Sequence, residues 1–197
     1  MSGAGRVVID GQDPFSDAVL AAVTTWRRFE CNDLLRFNRV NLDALTATYN
    51  NAFYLQYVTT WPSMQAVAET AHGSVCAYIL GKVEGRGTDW HGHVTAVTVA
   101  PEHRKLAYAT RLMHVLEHAS ASIHNAYFVD LFVRRSNDVG INMYRKMGYV
   151  VYRRVLAYYS GDEDAYDMRK ALPRDTLKRS EIEYPGGVCH PHQIEYP

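Results

Sequence analysis

An alternating apolar run, VTAVTVA at residues 94–100, meets Pro101 and then a short basic turn, HRKLAYAT, that opens into a helical pattern. A strand delivered straight into a helix N-terminus constrains the chain more than any other stretch. The first amides of a helix lack internal partners and the macrodipole adds partial positive charge, so residues 104–110 make a ready anion site. Basic residues before a helix also occur on solvated faces, so the turn gains weight only from what surrounds it.

The surroundings have a consistent order. Residues 29–42 read as a short strand entering an amphipathic helix, and residues 51–61 as a second helix, with Phe53, Tyr54, Tyr57, Val58 and Trp61 at helical spacing before Pro62. Strands over 64–69 and 75–83 flank His72-Gly73, which suits an antiparallel hairpin. The helix after the basic turn carries Tyr108, Leu112, Val115, Leu116, Ala119 and Ile123 as a core-facing stripe. Residues 126–133, AYFVDLFV, form a nearly continuous apolar run, which predicts a central strand covered on both faces. Asn137 then offers N-cap chemistry for a helix bearing Ile141, Met143, Tyr144 and Met147, which Gly148 ends. Residues 149–159 and 166–172 close the sheet as a hairpin.

With 197 residues and 47% hydrophobic content, the chain is long enough for one substantial core. The expected division is an N-terminal extension over 1–28, an α/β domain over 29–172, and a C-terminal tail over 173–197 that is flexible or laid along a partner. The patch AVLAAV at 18–23 is too short to span a bilayer and lacks the pattern of a secretory signal, so a soluble, cytoplasmic protein is expected. Cys31, Cys76 and Cys189 are scattered, which argues against a disulfide framework or a zinc site. Lys plus Arg and Asp plus Glu each number 21, a balance that argues against broad nucleic-acid binding, although Arg134-Arg135 and Arg153-Arg154 can form a local basic patch.

Four separated blocks, WHGHVTAVTVAPEHRKLAYATRLM, VDLFVRRSN, NMYRKMGYVVYRRV and DEDAYDMRKAL, together with LQYVTTWP, resemble the catalytic subunits of NatB-type N-terminal acetyltransferases over about residues 29–172. Arg104-x-x-Ala107-x-Ala109 is similar to the R/Q-x-x-G-x-G/A turn with which GCN5-related N-acetyltransferases grip the pyrophosphate of acetyl-CoA. Ala107 stands where the first glycine of that turn usually does. The expectation is that Ala107 lies inside the first helical turn with negative φ, where a methyl group does no harm. The resemblance implies the GNAT (acyl-CoA N-acyltransferase) fold, a mixed, mostly antiparallel central sheet of about seven strands flanked by about four helices. It also implies acetyl-CoA as co-substrate, held by Val97, Val99, Arg104, Lys105, Leu106, Ala107, Tyr108, Ala109, Thr110, Asn137 and Tyr144.

Acetyl transfer to an amine needs a neutral nucleophile, a donor for the developing oxyanion and an acid for the departing thiolate. Tyr144 is the candidate acid, and the resemblance implies that role near the sulfur of coenzyme A. Asn137 is implied beside the reacting centre. The oxyanion donor is expected to be a backbone amide near the C-terminal half of the strand over 94–99, where this fold carries a bulge. An α-amine titrates near 7.7–8.0 against about 10.4 for lysine, so presenting it neutral costs roughly 3 kcal/mol less at neutral pH. By resemblance His93 contacts the second residue of the peptide, while Tyr49, Phe132, Tyr158 and Tyr159 enclose the initiator methionine of chains beginning Met-Asp, Met-Glu, Met-Asn or Met-Gln.

His91 and His93 are spaced as a metal pair, but no nearby Cys, Asp or third His is placed to complete a site, so no metal is expected. His114 and His118 lie off the apolar stripe. Ala47 replaces a glutamate found in many relatives near the substrate entrance, which bears on amine orientation and selectivity. The resemblance further implies a helical-repeat auxiliary subunit, the ribosome and nascent N-termini as partners, with no direct DNA or membrane binding. The apolar residues Leu34, Leu35, Phe37, Val40 and Leu42 fit either that auxiliary subunit or the chain's own sheet. Two other readings stay open from sequence: an acetyltransferase of the same fold acting on lysine or a small amine, and a non-catalytic subunit that keeps the fold for binding.

Overall fold

Eight strands make one sheet in the order β1-β2-β3-β4-β5-β7-β6-β8. They are β1 Thr24–Arg28, β2 Ala66–Thr70, β3 Val75–Glu84, β4 His91–Val99, β5 Phe128–Arg134, β6 Val150–Tyr159, β7 Glu163–Ala171 and β8 Val188–Cys189. Three α-helices are present among the described residues: α1 Asn51–Thr60, α2 Tyr108–Ser122 and α3 Asp138–Lys146. The computed structural model describes residues 24–42, 46–160 and 163–194. The patch at 18–23 lies outside them.

Pairing is antiparallel except between β4 and β5 and between β6 and β8. The sheet therefore has the mixed, mostly antiparallel character read from sequence, with eight strands where about seven were expected and three α-helices where about four were. The difference in helices lies at 29–42. That stretch forms two 3₁₀ turns, Cys31–Leu35 and Asn38–Leu42, following β1. Phe37 and Val40, three residues apart, turn inward, while Leu35 and Leu42 are 82% and 75% exposed. Buried Asp33 fixes the first turn, because it accepts two 2.7 Å bonds from Arg27 on β1 and one of 2.9 Å from Arg36.

The sheet carries a core on each face. Alternation along β3 shows the division: Ala77 and Ile79 join the cluster under α2 and α3, while Tyr78 and Leu80 join the cluster under α1. Helix α2 packs closely because glycines lie beneath it. A Cβ built on Gly81 would stand 2.3 Å from Leu116 Cδ1, and one on Gly92 2.1 Å from Ser120 Oγ. Leu112, Met113 and Leu116 are fully buried there, each stabilising by about 1.5–3 kcal/mol relative to exposure. The stripe predicted for this helix needs correction at two places, since Val115 and Ile123 are 40% and 60% exposed and Met113 takes the inner position. Ile123 is the C-cap residue, where the helical period has already ended.

β5 is central, between β4 and β7, and its even positions present Phe128, Asp130 and Phe132 to one face. The segment after residue 172, read from sequence as a tail, lies on the protein over its described part. Val188 and Cys189 pair with Arg154 and Val155 of β6, and Cys189 and Ile194 are buried. The arginine pairs read as a basic patch are largely neutralised: Arg134 bonds Glu163 at 2.6 Å, Arg153 bonds Asp167 at 2.8 Å and Arg154 bonds Asp164 at 2.7 Å.

Candidate active site

The site begins where two neighbouring strands separate. β4 and β5 pair only from His91↔Phe128 to Val94↔Leu131. On the other side of β4, Gly81 pairs with Val94 and Leu80 with Ala96, so Thr95 is an extra residue without a partner on β3. This bulge bends β4 away from β5. The resulting cleft encloses about 250 Å³, with Thr95, Ala96, Val97 and Thr98 on one wall and Phe132, Val133 and Arg134 on the other. The bulge expected toward the C-terminal half of residues 94–99 lies instead near their start, at Thr95, whose hydroxyl bonds the Tyr57 hydroxyl at 3.0 Å.

Asn137 and Tyr144 line the same cleft, one from the start of α3 and the other from its last turn. Asn137 is the N-cap, and its Oδ1 accepts from the Gly140 amide at 2.9 Å. That bond leaves its Nδ2 as the remaining donor. Tyr144 sits about two turns further in, and burial pushes its phenol well above the ordinary tyrosine value, with Tyr159 adding to the effect. It is therefore a protonated group at neutral pH.

At the opposite mouth, aromatic rings form a wall. Tyr158 stacks on Phe132 at 4.7 Å, Tyr159 stands edge-on to Tyr158 at 5.0 Å, and the Tyr159 hydroxyl donates to the Phe132 carbonyl at 3.0 Å. Ala157, with φ of +48° just before them, belongs to an irregular stretch of β6 that sets the two tyrosines inward. Tyr49 lines the cleft from the other side and stacks on Phe53 at 4.1 Å. Thr46 and Ala47 adjoin it, so the Ala47 departure lies on the cleft wall.

His93 closes the floor. Its Nδ1 lies 2.8 Å from Asp130 Oδ1, and both side chains are buried. Glu84 Oε1 stands 3.8 Å from His93 Nδ1, and His91 Nε2 stands 3.6 Å from Asp130 Oδ1. The acidic neighbours that the local sequence lacked therefore do converge on the two histidines, through strand register: Asp130 pairs with His93 and Glu84 with His91. Among the described residues, no group of three or more His, Cys, Asp or Glu has metal-holding geometry. Burial opposes the imidazolium of His93, but the Asp130 charge and hydrogen bond, with Glu84, outweigh burial and the Lys82 ammonium, and His93 titrates above its ordinary value. Burial would raise Asp130, yet His91, His93 and Arg169 hold its carboxyl well below the usual range.

The basic turn lies past the end of β4. Ala107 there overturns the expectation of a negative φ: it is the N-cap of α2 with φ of +62° and ψ of +14°. Lys105 is also left-handed, with φ of +63°. The turn keeps the backbone path that glycine favours and an alanine bears the strain, about 1 kcal/mol. Left-handed residues in a turn that leads into a helix N-terminus are a recurrent part of anion-binding backbone arrangements. The first helical bond runs from Arg111 N to Ala107 O, so Ala109 and Thr110 lack the i−4 acceptor of later amides. Arg104 and Leu106 are exposed, whereas the Tyr108 ring is buried against Trp26.

A separated strand pair with a bulge, opening toward a left-handed turn at a helix N-terminus, is the arrangement of an acyl-transferring enzyme. Residues 31–149 match the family described as the acetyltransferase (GNAT) family, and the chain belongs to it. Within that family the chain sits among the NatB catalytic subunits, which are N-terminal acetyltransferases. It is 61% identical over 160 residues to a Dictyostelium discoideum protein named N-alpha-acetyltransferase 20, covering 81% of this chain and 92% of that one. An Arabidopsis thaliana protein named N-terminal acetyltransferase B complex catalytic subunit NAA20 is 57% identical over 174 residues, covering 88% and 99%. The crystal structure of Chaetomium thermophilum Naa20 in complex with a bisubstrate analogue superposes with a TM-score of 0.80 at 42% identity, covering 87% and 100%.

Proposed function

We propose that the cleft transfers acetyl from acetyl-CoA to the α-amino group of protein N-termini beginning Met-Asp, Met-Glu, Met-Asn or Met-Gln. The carrying observation is the gap between β4 and β5, which brings the bulge at Thr95, Asn137 and Tyr144 to one cavity with the aromatic wall. In this reading the left-handed turn, with Arg104, Lys105, Leu106, Ala107, Tyr108, Ala109 and Thr110, holds the pyrophosphate. Tyr108 takes part through its backbone. Val97 and Val99 flank the arm of the co-substrate.

The neutral amine attacks the thioester carbonyl directly, an amide in the bulged stretch of β4 meets the developing oxyanion, and collapse of the adduct breaks the C–S bond; Tyr144 protonates the departing thiolate, and the surplus proton of the amine passes through water to restore the tyrosine. Asn137 Nδ2 supports the reacting centre. Tyr49, Phe132, Tyr158 and Tyr159 enclose the methionine, and His93 meets the second side chain. The transferring unit runs from β1, Thr24–Arg28, to residue 172, because that strand pairs with β2 in the sheet and so moves the boundary expected at residue 29 earlier; residues 173–197 are an accessory segment.

The Arabidopsis relative is named as the catalytic subunit of a complex, which supports an auxiliary subunit here as well. Exposed Leu35 and Leu42 offer it apolar surface, and the ribosome and nascent chains in the cytoplasm complete the proposed setting. No helix among the described residues is long and apolar enough to cross a membrane.

The deciding experiment compares acetylation of a free Met-Asp peptide with that of an N-blocked lysine peptide, with and without the auxiliary subunit. Transfer to the first alone is the expected result. Transfer to lysine at an equal rate overturns the proposal, as does a calorimetric titration in which acetyl-CoA gives no heat.

A further inference from the structure

The four proposed second residues share a side-chain oxygen but differ in what they offer. Asp and Glu carboxylates only accept hydrogen bonds, whereas Asn and Gln carboxamides both accept and donate. His93 lines the cleft and its Nδ1 is engaged by buried Asp130, so Nε2 is the ring nitrogen left for a ligand. If the ring carried one proton, on Nδ1 toward Asp130, Nε2 would present a lone pair. A carboxylate cannot bond to that atom, but a carboxamide NH₂ can. With a second proton, Nε2–H donates to either.

We propose that Asp130 is a positioning residue that keeps His93 doubly protonated, so that its Nε2–H makes the enzyme prefer a carboxylate to a carboxamide at the second residue of the substrate. This rests on the reading of His93 as the second-residue contact.

The geometry carries it. Strand register places Asp130 directly beside His93 and Lys82 opposite it on β3. Glu84 on β3, His91 on β4, Arg169 and Asp167 on β7 and Tyr149 just before β6 are further charged and titratable groups that act on the pair, and Tyr158 on β6 reaches it through Phe132. Lys82 is ion-paired with Glu84, and Arg169 is shared with Asp167, so Asp130 is the carboxylate in hydrogen-bond contact with the ring. The imidazolium is present below the pKa that His93 has in the folded chain and is lost as pH rises through that value. A carboxylate preference must fade over the same range.

The test uses the full chain and two peptides differing only in Met-Asp against Met-Asn. The ratio of their kcat/KM values cancels the titration of the common methionine amine. The expected result is a ratio that falls about tenfold as pH is raised through the His93 titration, because a charge-assisted bond is replaced by none. In Asp130→Asn the ratio is already low and stays flat with pH. Native selectivity and pH profile in Asp130→Asn overturn the proposal. If His93→Ala keeps the native ratio and profile, the underlying reading of His93 fails instead. Should Asp130→Asn not fold, the native chain decides, since a His93 imidazole that NMR shows ionising at or below about 6.5 overturns the proposal.

Discussion

Ala107 shows what a single side chain costs where the backbone is held in the left-handed region. Its left-handed conformation strains a Cβ that glycine would not have, so Ala107→Gly is expected to stabilise the folded chain by about 0.5–1 kcal/mol, less the entropy glycine adds to the unfolded chain. Thermal denaturation of the two forms checks this, and a lower melting temperature for the glycine form contradicts it. Tyr144→Phe keeps the buried ring and removes the proton. Turnover should fall roughly 10²-fold while calorimetric affinity for acetyl-CoA stays near native. Tyr144 and Asn137 were legible in sequence because a cap and about two helical turns place them, a local pattern. Asp130 was read only as a member of an apolar run, and Thr95 only as part of an alternating strand. Their positions depend on register against β4 and β3, which no neighbouring residue encodes.

At the scale of elements, α2 joins the two halves of the site, since its first turn forms the anion turn and its buried face rests on β3 and β4. Gly92 sets that distance. Gly92→Ala forces a methyl into Ser120 and should destabilise by about 1–3 kcal/mol. Because the helix must rise from the sheet, KM for acetyl-CoA should increase more than KM for the peptide, and steady-state kinetics separate the two. An unchanged cofactor KM would mean that the turn is held independently of the helix. The helices with clear caps were found in sequence almost to the residue, as Asn50 before α1 and Asn137 before α3 show. The 29–42 segment was not, because its apolar spacing of three suits both the edge of an α-helix and a 3₁₀ turn. The buried contact of Asp33 with Arg27, on a separate strand, decides between them.

For the whole molecule, buried carboxylates set the response to acid. Burial alone would raise Asp33, but Arg27, the Glu30 amide and Arg36 outweigh it, and its carboxyl titrates below its ordinary value, as Asp130 does. A carboxyl depressed in the folded state contributes stability that is present above the unfolded value of about 3.9 and is lost as pH falls through the folded one. His93, raised in the folded state, acts in the opposite sense: its contribution is full below its unfolded value and disappears as pH rises through the folded value. Urea unfolding should therefore show stability falling by about 2 kcal/mol on acidification below pH 4, with a shallower fall in Asp33→Asn. Equal slopes for the two forms would remove Asp33 from the acid response.

The short β8 strand at the outer side of β6 has a wider meaning. An uncovered strand edge invites pairing with other chains, and here residues 188 and 189 occupy the backbone positions that such a neighbour would use. Removing residues 188–194 is therefore expected to open Arg154 and Val155 of β6 to a foreign strand, and light scattering that stays unchanged in the shortened chain would contradict this.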